Sequence, residues 1–188
     1  MFARKVLMNK VVFVIDLIKG FTVKGDLSDK RINSVIPVVK DILNNQKENI
    51  YFICDSHSEN DIEMQQYPIH CISNTEESEV VDELKPFVLK NESNIIRKNT
   101  TNGFHEVKKS LLRKFDEFVL VGCCTDICVM QFALSLKTWL NKFHLNKNLV
   151  VYQNGVNTFD SPEHNGDEFH EFALKIMRNA GIIIKEWK

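Results

Sequence analysis

Three side chains far apart in the chain, Asp16, Lys98 and Cys128, supply the parts of an activated nucleophile. A thiol attacks well once a base takes its proton, and a nearby ammonium stabilises the charge that results. Each residue has an ordinary role when taken alone: Asp16 as a turn cap, Lys98 as a solvated strand end, Cys128 as a small buried hydrophobe. Only their convergence would make chemistry. A second group, Asp55, His57, Glu63 and His70, has the composition of a divalent-metal site. Asp55 and His57 are two positions apart, so in extended chain both side chains project the same way. Two histidines and two carboxylates suit a borderline ion such as zinc, iron or manganese better than a thiolate-preferring one. Taken alone, the same four residues also fit capping and surface polarity. Their place on a loop beside a nucleophile argues for an open metal site rather than a closed structural one.

Whether these residues meet depends on the elements that carry them. Continuous apolar, β-branched runs at 11–16, 50–54, 94–97, 117–121, 148–152 and 181–185 predict strands buried on both faces. Helical periodicity fills the intervals at 31–45, where Asp29 is a plausible cap, and at 105–115, 126–142 and 163–179. Such alternation predicts a parallel sheet covered on both faces, a three-layer α/β/α fold. The segment 56–80 has no sustained period, and long loops inside compact domains are usually functional.

Asp16, Asp55-Ser56-His57, Lys98 and Gly122–Cys128 then follow four strand ends. In a parallel sheet these ends share one edge, where open α/β folds bind ligands. Thr125 is a good N-cap, which would put Cys128 in a first helical turn whose free N–H groups favour thiolate. The amides of that turn, with that of Cys128, could hold an oxyanion, and those of Cys123 and Cys124 in the turn before it could instead face the substrate. His105, His144, His164 and His170 sit on or beside predicted helices and are expected at the surface. Lys108, Lys109, Arg113 and Lys114 suggest a solvated helix face.

Composition narrows the class. The 188 residues are 44 % hydrophobic and 26 % charged, ordinary globular usage, and are expected to form one domain over 1–188. Lys and Arg total 24 against 25 Asp and Glu, which gives no electrostatic footprint for nucleic acid or an anionic membrane. No run approaches the roughly 20 apolar residues of a spanning helix. The apolar stretch at 11–15 stops at Asp16, too soon for a signal-peptide core. Five cysteines without framework spacing are then expected to be thiols in a reducing cytoplasm.

The motifs resemble those of the isochorismatase-like cysteine hydrolases. Val14-Ile15-Asp16-Leu17-Ile18-Lys19-Gly20-Phe21 is similar to that family's aspartate-bearing first strand, and Arg97-Lys98 followed by Phe104 to its lysine segment. Gly122-Cys123-Cys124-Thr125-Asp126-Ile127-Cys128-Val129 resembles its nucleophile segment. The nicotinamidases of that family add a metal set, which Asp55, His57, Glu63 and Tyr67-Pro68-Ile69-His70-Cys71 resemble. The resemblance implies a six-stranded parallel sheet and hydrolysis of nicotinamide to nicotinic acid and ammonia through a Cys128 thioester. Asp16 would be the base and Lys98 the electrostatic partner. The Cys123–Cys124 peptide would be cis, the amides of Cys124 and Cys128 would receive the oxyanion, and Phe21 and Tyr67 would stack on the ring. One divalent ion, zinc first with iron or manganese as alternatives, would sit on Asp55, His57, Glu63 and His70.

Family members are often homo-oligomers, although nothing in these residues fixes an interface. Ile18-Lys19-Gly20 stands where the family more often has Gln-Asn-Asp, a change expected to alter one wall of the pocket. Ile69 replaces the second proline before His70. Three other functions are weighed: a related hydrolase of another small amide, a thiol redox protein, and a non-catalytic metal module. The redox reading lacks a C-x-x-C spacing, since three residues separate Cys124 from Cys128.

Overall fold

Each of the six apolar runs forms a strand: β1 (Lys10–Ile15), β2 (Ile50–Asp55), β3 (Ile95–Lys98), β4 (Glu117–Cys123), β5 (Asn148–Asn157) and β6 (Ile183–Lys185). The structure is a computed structural model and describes residues 8–46 and 49–188. All strand pairs are parallel, in the order β3-β2-β1-β4-β5-β6. The alternation of β1 divides the core. Val11, Phe13 and Ile15 face one apolar cluster with α4 (Met130–Lys142) and α5 (Gly166–Asn179). Val12 and Val14 face the other, with α2 (Ile36–Gln46). The result is the three-layer α/β/α fold, with a six-stranded parallel sheet.

The strand order reverses between β1 and β4, which is where open α/β sheets leave a crevice at their carboxyl edge. Gly122 lets the two strands approach there. Its φ is +119°, and a Cβ on it would lie 1.9 Å from the carbonyl oxygen of Ile15. Any side chain would push β4 away from the strand that delivers Asp16.

Two helices differ from expectation. The run 105–115 is not one helix but a turn at Gly103–His105 and the short α3 (Lys109–Leu112). Lys109 Nζ donates to the carbonyls of Phe104 and Val107, which a continuous helix would have bonded to backbone amides. Lys109 also lies 3.4 Å from the Phe104 ring centroid, so it belongs to the packing rather than to a solvated face. At 31–45 the helix begins with a tight turn at Ile32–Val35 before α2, and Asp29 accepts from Arg31 N at 2.8 Å. Among the described residues, no helix is long and apolar enough to cross a membrane.

Candidate active site

Parallel register brings the expected trio together. Lys98, at the end of β3, places Nζ 2.9 Å from Asp16 Oδ2 and 3.9 Å from Cys128 Sγ, and it also contacts Asp55 Oδ1. Asp16, just past β1, turns back with φ +52° and accepts a hydrogen bond from Asp55 N at 3.0 Å. All these side chains are buried. Burial works against the charge of Lys98, but Asp16 and Asp55 outweigh it and raise its pKa well above the usual lysine range. Burial and the nearby Asp55 charge push the carboxyl of Asp16 up to about 6, against the pull of Lys98. That suits a base which must take and return a proton near neutrality.

The nucleophile segment departs from the expected helix start. Beyond the cis Cys123–Cys124 peptide, the chain makes one wide turn over Thr125–Val129, closed by Val129 N donating to Cys124 O at 3.1 Å. Cys124, not Thr125, occupies the cap position. The Thr125 hydroxyl instead shares a 3.0 Å hydrogen bond with His170 Nδ1 on α5. Burial holds the Cys128 thiol well above its ordinary pKa despite Lys98, so its resting state is the thiol rather than the thiolate expected from a helix dipole. Attack therefore needs a base that removes this proton.

The second cluster is assembled by the 56–80 loop. Asp55, His57 and His70 bring one ligand atom each to within 4.8 Å of one another. His57 Nδ1 pairs with Asp61 Oδ2 at 3.2 Å, which leaves Nε2 aimed at Asp55. His70 Nδ1 lies 2.7 Å from the carbonyl of Pro68, which accepts its proton and leaves Nε2 facing Asp55 Oδ2. With each Nδ1 proton held this way, the neutral ring presents its Nε2 lone pair inward, and the buried Nε2 of His57 has no hydrogen-bond partner. An orphaned acceptor beside a carboxylate and a second imidazole fits a metal ion. Glu63 stands at the edge: Oε2 is 4.0 Å from His57 Nε2, and Oε1 accepts from Thr101 N at 2.7 Å. Asp61, which orients His57, has no role in the sequence reading beyond membership of the loop.

The two clusters share a cavity of about 330 Å³, whose lining includes Asp55, His70, Cys124 and Cys128 and the rings of Phe21, Tyr67 and Phe159. Ile18, Lys19 and Gly20 do not line it. Ile18 is buried, and Lys19 forms ion pairs with Glu76, Glu79 and Asp82. A Cβ at Gly20 would lie 2.4 Å from Cys71 Sγ. The departure from the family motif is thus absorbed by packing, not by the pocket wall. His164 and His170 also depart from expectation, since both are half-buried against the nucleophile turn. His164 Nε2 lies 2.7 Å from Asp126 Oδ2, and its ring is stacked between Phe159 and Phe169 at 3.9 Å on each side.

Comparison with known proteins now decides the family. The family model of the isochorismatase domain matches residues 10–188. This chain belongs to the isochorismatase family. It is therefore an isochorismatase-family hydrolase, with nicotinamidases among its relatives. It is similar to "Nicotinamidase 1" of Arabidopsis thaliana, with 30% identity over 196 residues covering 90% of this chain and 79% of that protein. The crystal structure of the Bacillus subtilis nicotinamidase PncA superposes with a TM-score of 0.76 at 27% identity, over 95% of this chain and all 100% of that one. A pyrazinamidase of Pyrococcus horikoshii, crystallised with zinc, shares the fold with a TM-score of 0.74 at 23% identity, over 95% of this chain and 99% of that one.

Proposed function

We propose that this chain is a metal-dependent cysteine amidohydrolase that converts nicotinamide and water to nicotinic acid and ammonia. The observation that carries this reading is Lys98, held between Asp16 and Asp55 and 3.9 Å from Cys128 Sγ. One buried ammonium thereby joins a base, a thiol and the Asp55–His57–His70 cluster along a single cavity. The 30% identity to a nicotinamidase supports the substrate, and so does an aromatic-lined cavity at the small end of the usual range for ligand sites.

Asp16 takes the Cys128 proton as sulfur attacks the carboxamide carbon, and Lys98 steadies the charge that passes between them. A C–S bond forms, and the amides of Cys124 and Cys128 receive the negative charge that develops on oxygen. Collapse breaks the C–N bond while Asp16 returns its proton to the departing nitrogen, which leaves as ammonia. Water then adds to the thioester with Asp16 as base, the C–S bond breaks, and the thiol is restored. Phe21 and Tyr67 stack on the ring and fix its plane. Asp55, His57 and His70, with Glu63 at the rim, would hold one divalent ion, zinc first, which when bound offers a Lewis acid to the pyridine nitrogen and so orients the substrate. The same reading takes 1–188 as one catalytic domain working in the cytoplasm on the salvage of the NAD pyridine ring.

The test is ammonia release from nicotinamide by the purified protein, with and without a chelator, with Cys128→Ala as blank. Release that requires both Cys128 and metal supports the proposal. No release from a folded, metal-loaded sample removes nicotinamide as the substrate and turns the search to other small amides.

A further inference from the structure

Helix α5 buries Ala173, Leu174 and Met177 against the sheet, yet it leaves Phe169, Phe172 and Ile176 exposed at 41, 60 and 47 %. At about 100° per residue these three fall within roughly 60° of arc, one continuous stripe beside the buried face. Two opposite charges flank it, Glu168 in the first half of the helix and Lys175 in the second. Glu168 and Lys175 are two turns apart and so lie on the same flank, about 20° from each other around the axis.

We propose that this face of α5 docks a second copy of this chain, the two helices antiparallel about a two-fold axis at Phe172. The register is self-complementary. With Phe172 on the axis beside the partner's Phe172, Phe169 meets the partner's Ile176. A two-fold perpendicular to the helices keeps each flank on its own side, so Glu168 faces the partner's Lys175, and the reverse pair forms by symmetry. A stripe meant for an unrelated partner would not need charges arranged to match its own inversion. The far side of Phe169 stacks on His164, which is bonded to Asp126 in the nucleophile turn. The interface therefore backs onto the active site through a single imidazole.

Sedimentation velocity of the full chain at tens of micromolar should show a dimer, and Phe172→Glu should convert it to monomer. Glu168→Lys and Lys175→Glu should each weaken dimerisation by at least about tenfold, because each homodimer then faces like charges twice. Mixing these two variants in equal amounts should restore a heterodimer, since each Glu168–Lys175 contact regains opposite signs. That recovery also shows that both variants are folded. A monomeric wild-type chain, a dimer indifferent to Phe172→Glu, or single variants that fail to recover on mixing would overturn the proposal.

Discussion

The nucleophile and the Asp55–His57–His70 cluster open on one cavity, but they are built by different means. Asp16 and Lys98 stand at the ends of β1 and β3, the two strands that flank β2, and Cys128 stands in the turn that follows β4, so sheet register fixes the spacing of the trio. His57 and His70 stand on a loop of short turns, held by local bonds such as Asp61 to His57 and Pro68 to His70. One region inherits its precision from the sheet, whereas the other takes only Asp55 from it, at the end of β2, and must hold its two histidines by itself. Lys98 is where they touch, since it contacts the carboxylates of both.

Four substitutions break or sharpen this contrast, taken from the largest effect downward. Cys128→Ala should reduce turnover by at least about 10³-fold while the chain stays folded and its metal content stays intact. Metal loss on removing that thiol would mean the regions are one unit. Lys98→Met should act on both regions, because it strands two buried carboxylates. Breaking a buried pair in this way costs about 3–5 kcal/mol. Urea unfolding would measure that loss, and unchanged stability would deny Lys98 its bridging role. His57→Ala should empty the metal site and lower activity but leave the unfolding midpoint of the sheet nearly unchanged, as metal analysis beside circular dichroism would show. Asp61→Ala should be mildest, weakening metal affinity by about 10–100-fold through loss of the ring's orientation. Competition with a chromophoric chelator would measure it, and an unchanged affinity would return Asp61 to an ordinary loop role.

The same division governs what the chain discloses before it is folded. Strands rich in Val and Ile announce themselves by composition, and a parallel sheet then places their carboxyl ends together, so Asp16, Lys98 and Cys128 were accessible from pattern alone. The histidines and carboxylates of the loop were visible by type. Their division of labour was not, because Asp61 becomes a partner of His57 only after the chain turns at Ser58 and Asp61, where Asp61 N donates to Ser58 O at 3.0 Å and Ser58 N to Asp61 Oδ2 at 2.9 Å. His164 and His170 read as surface residues in the sequence, since no local signal ties them to Asp126 and Thr125, which lie 38 and 45 residues earlier. Only the packing of α5 over the nucleophile turn reveals them. The wide turn at Thr125–Val129 was hidden for a related reason: a threonine before a helix usually caps it, but here its hydroxyl is claimed from across the fold.

The five thiols carry a practical consequence for anyone who would label this protein. Cys54, Cys71 and Cys123 are buried, and burial drives their proton affinity well above that of a free cysteine. Electrophiles thus meet two barriers at these positions, lack of access and lack of thiolate. Cys124 and Cys128 are buried too, and burial also raises the Cys128 pKa, but both line the cavity and Asp16 stands beside Cys128 to take its proton. An alkylating reagent small enough to enter that cavity would find its targets there, and the extent of modification would report on what occupies the pocket without any engineered reporter cysteine.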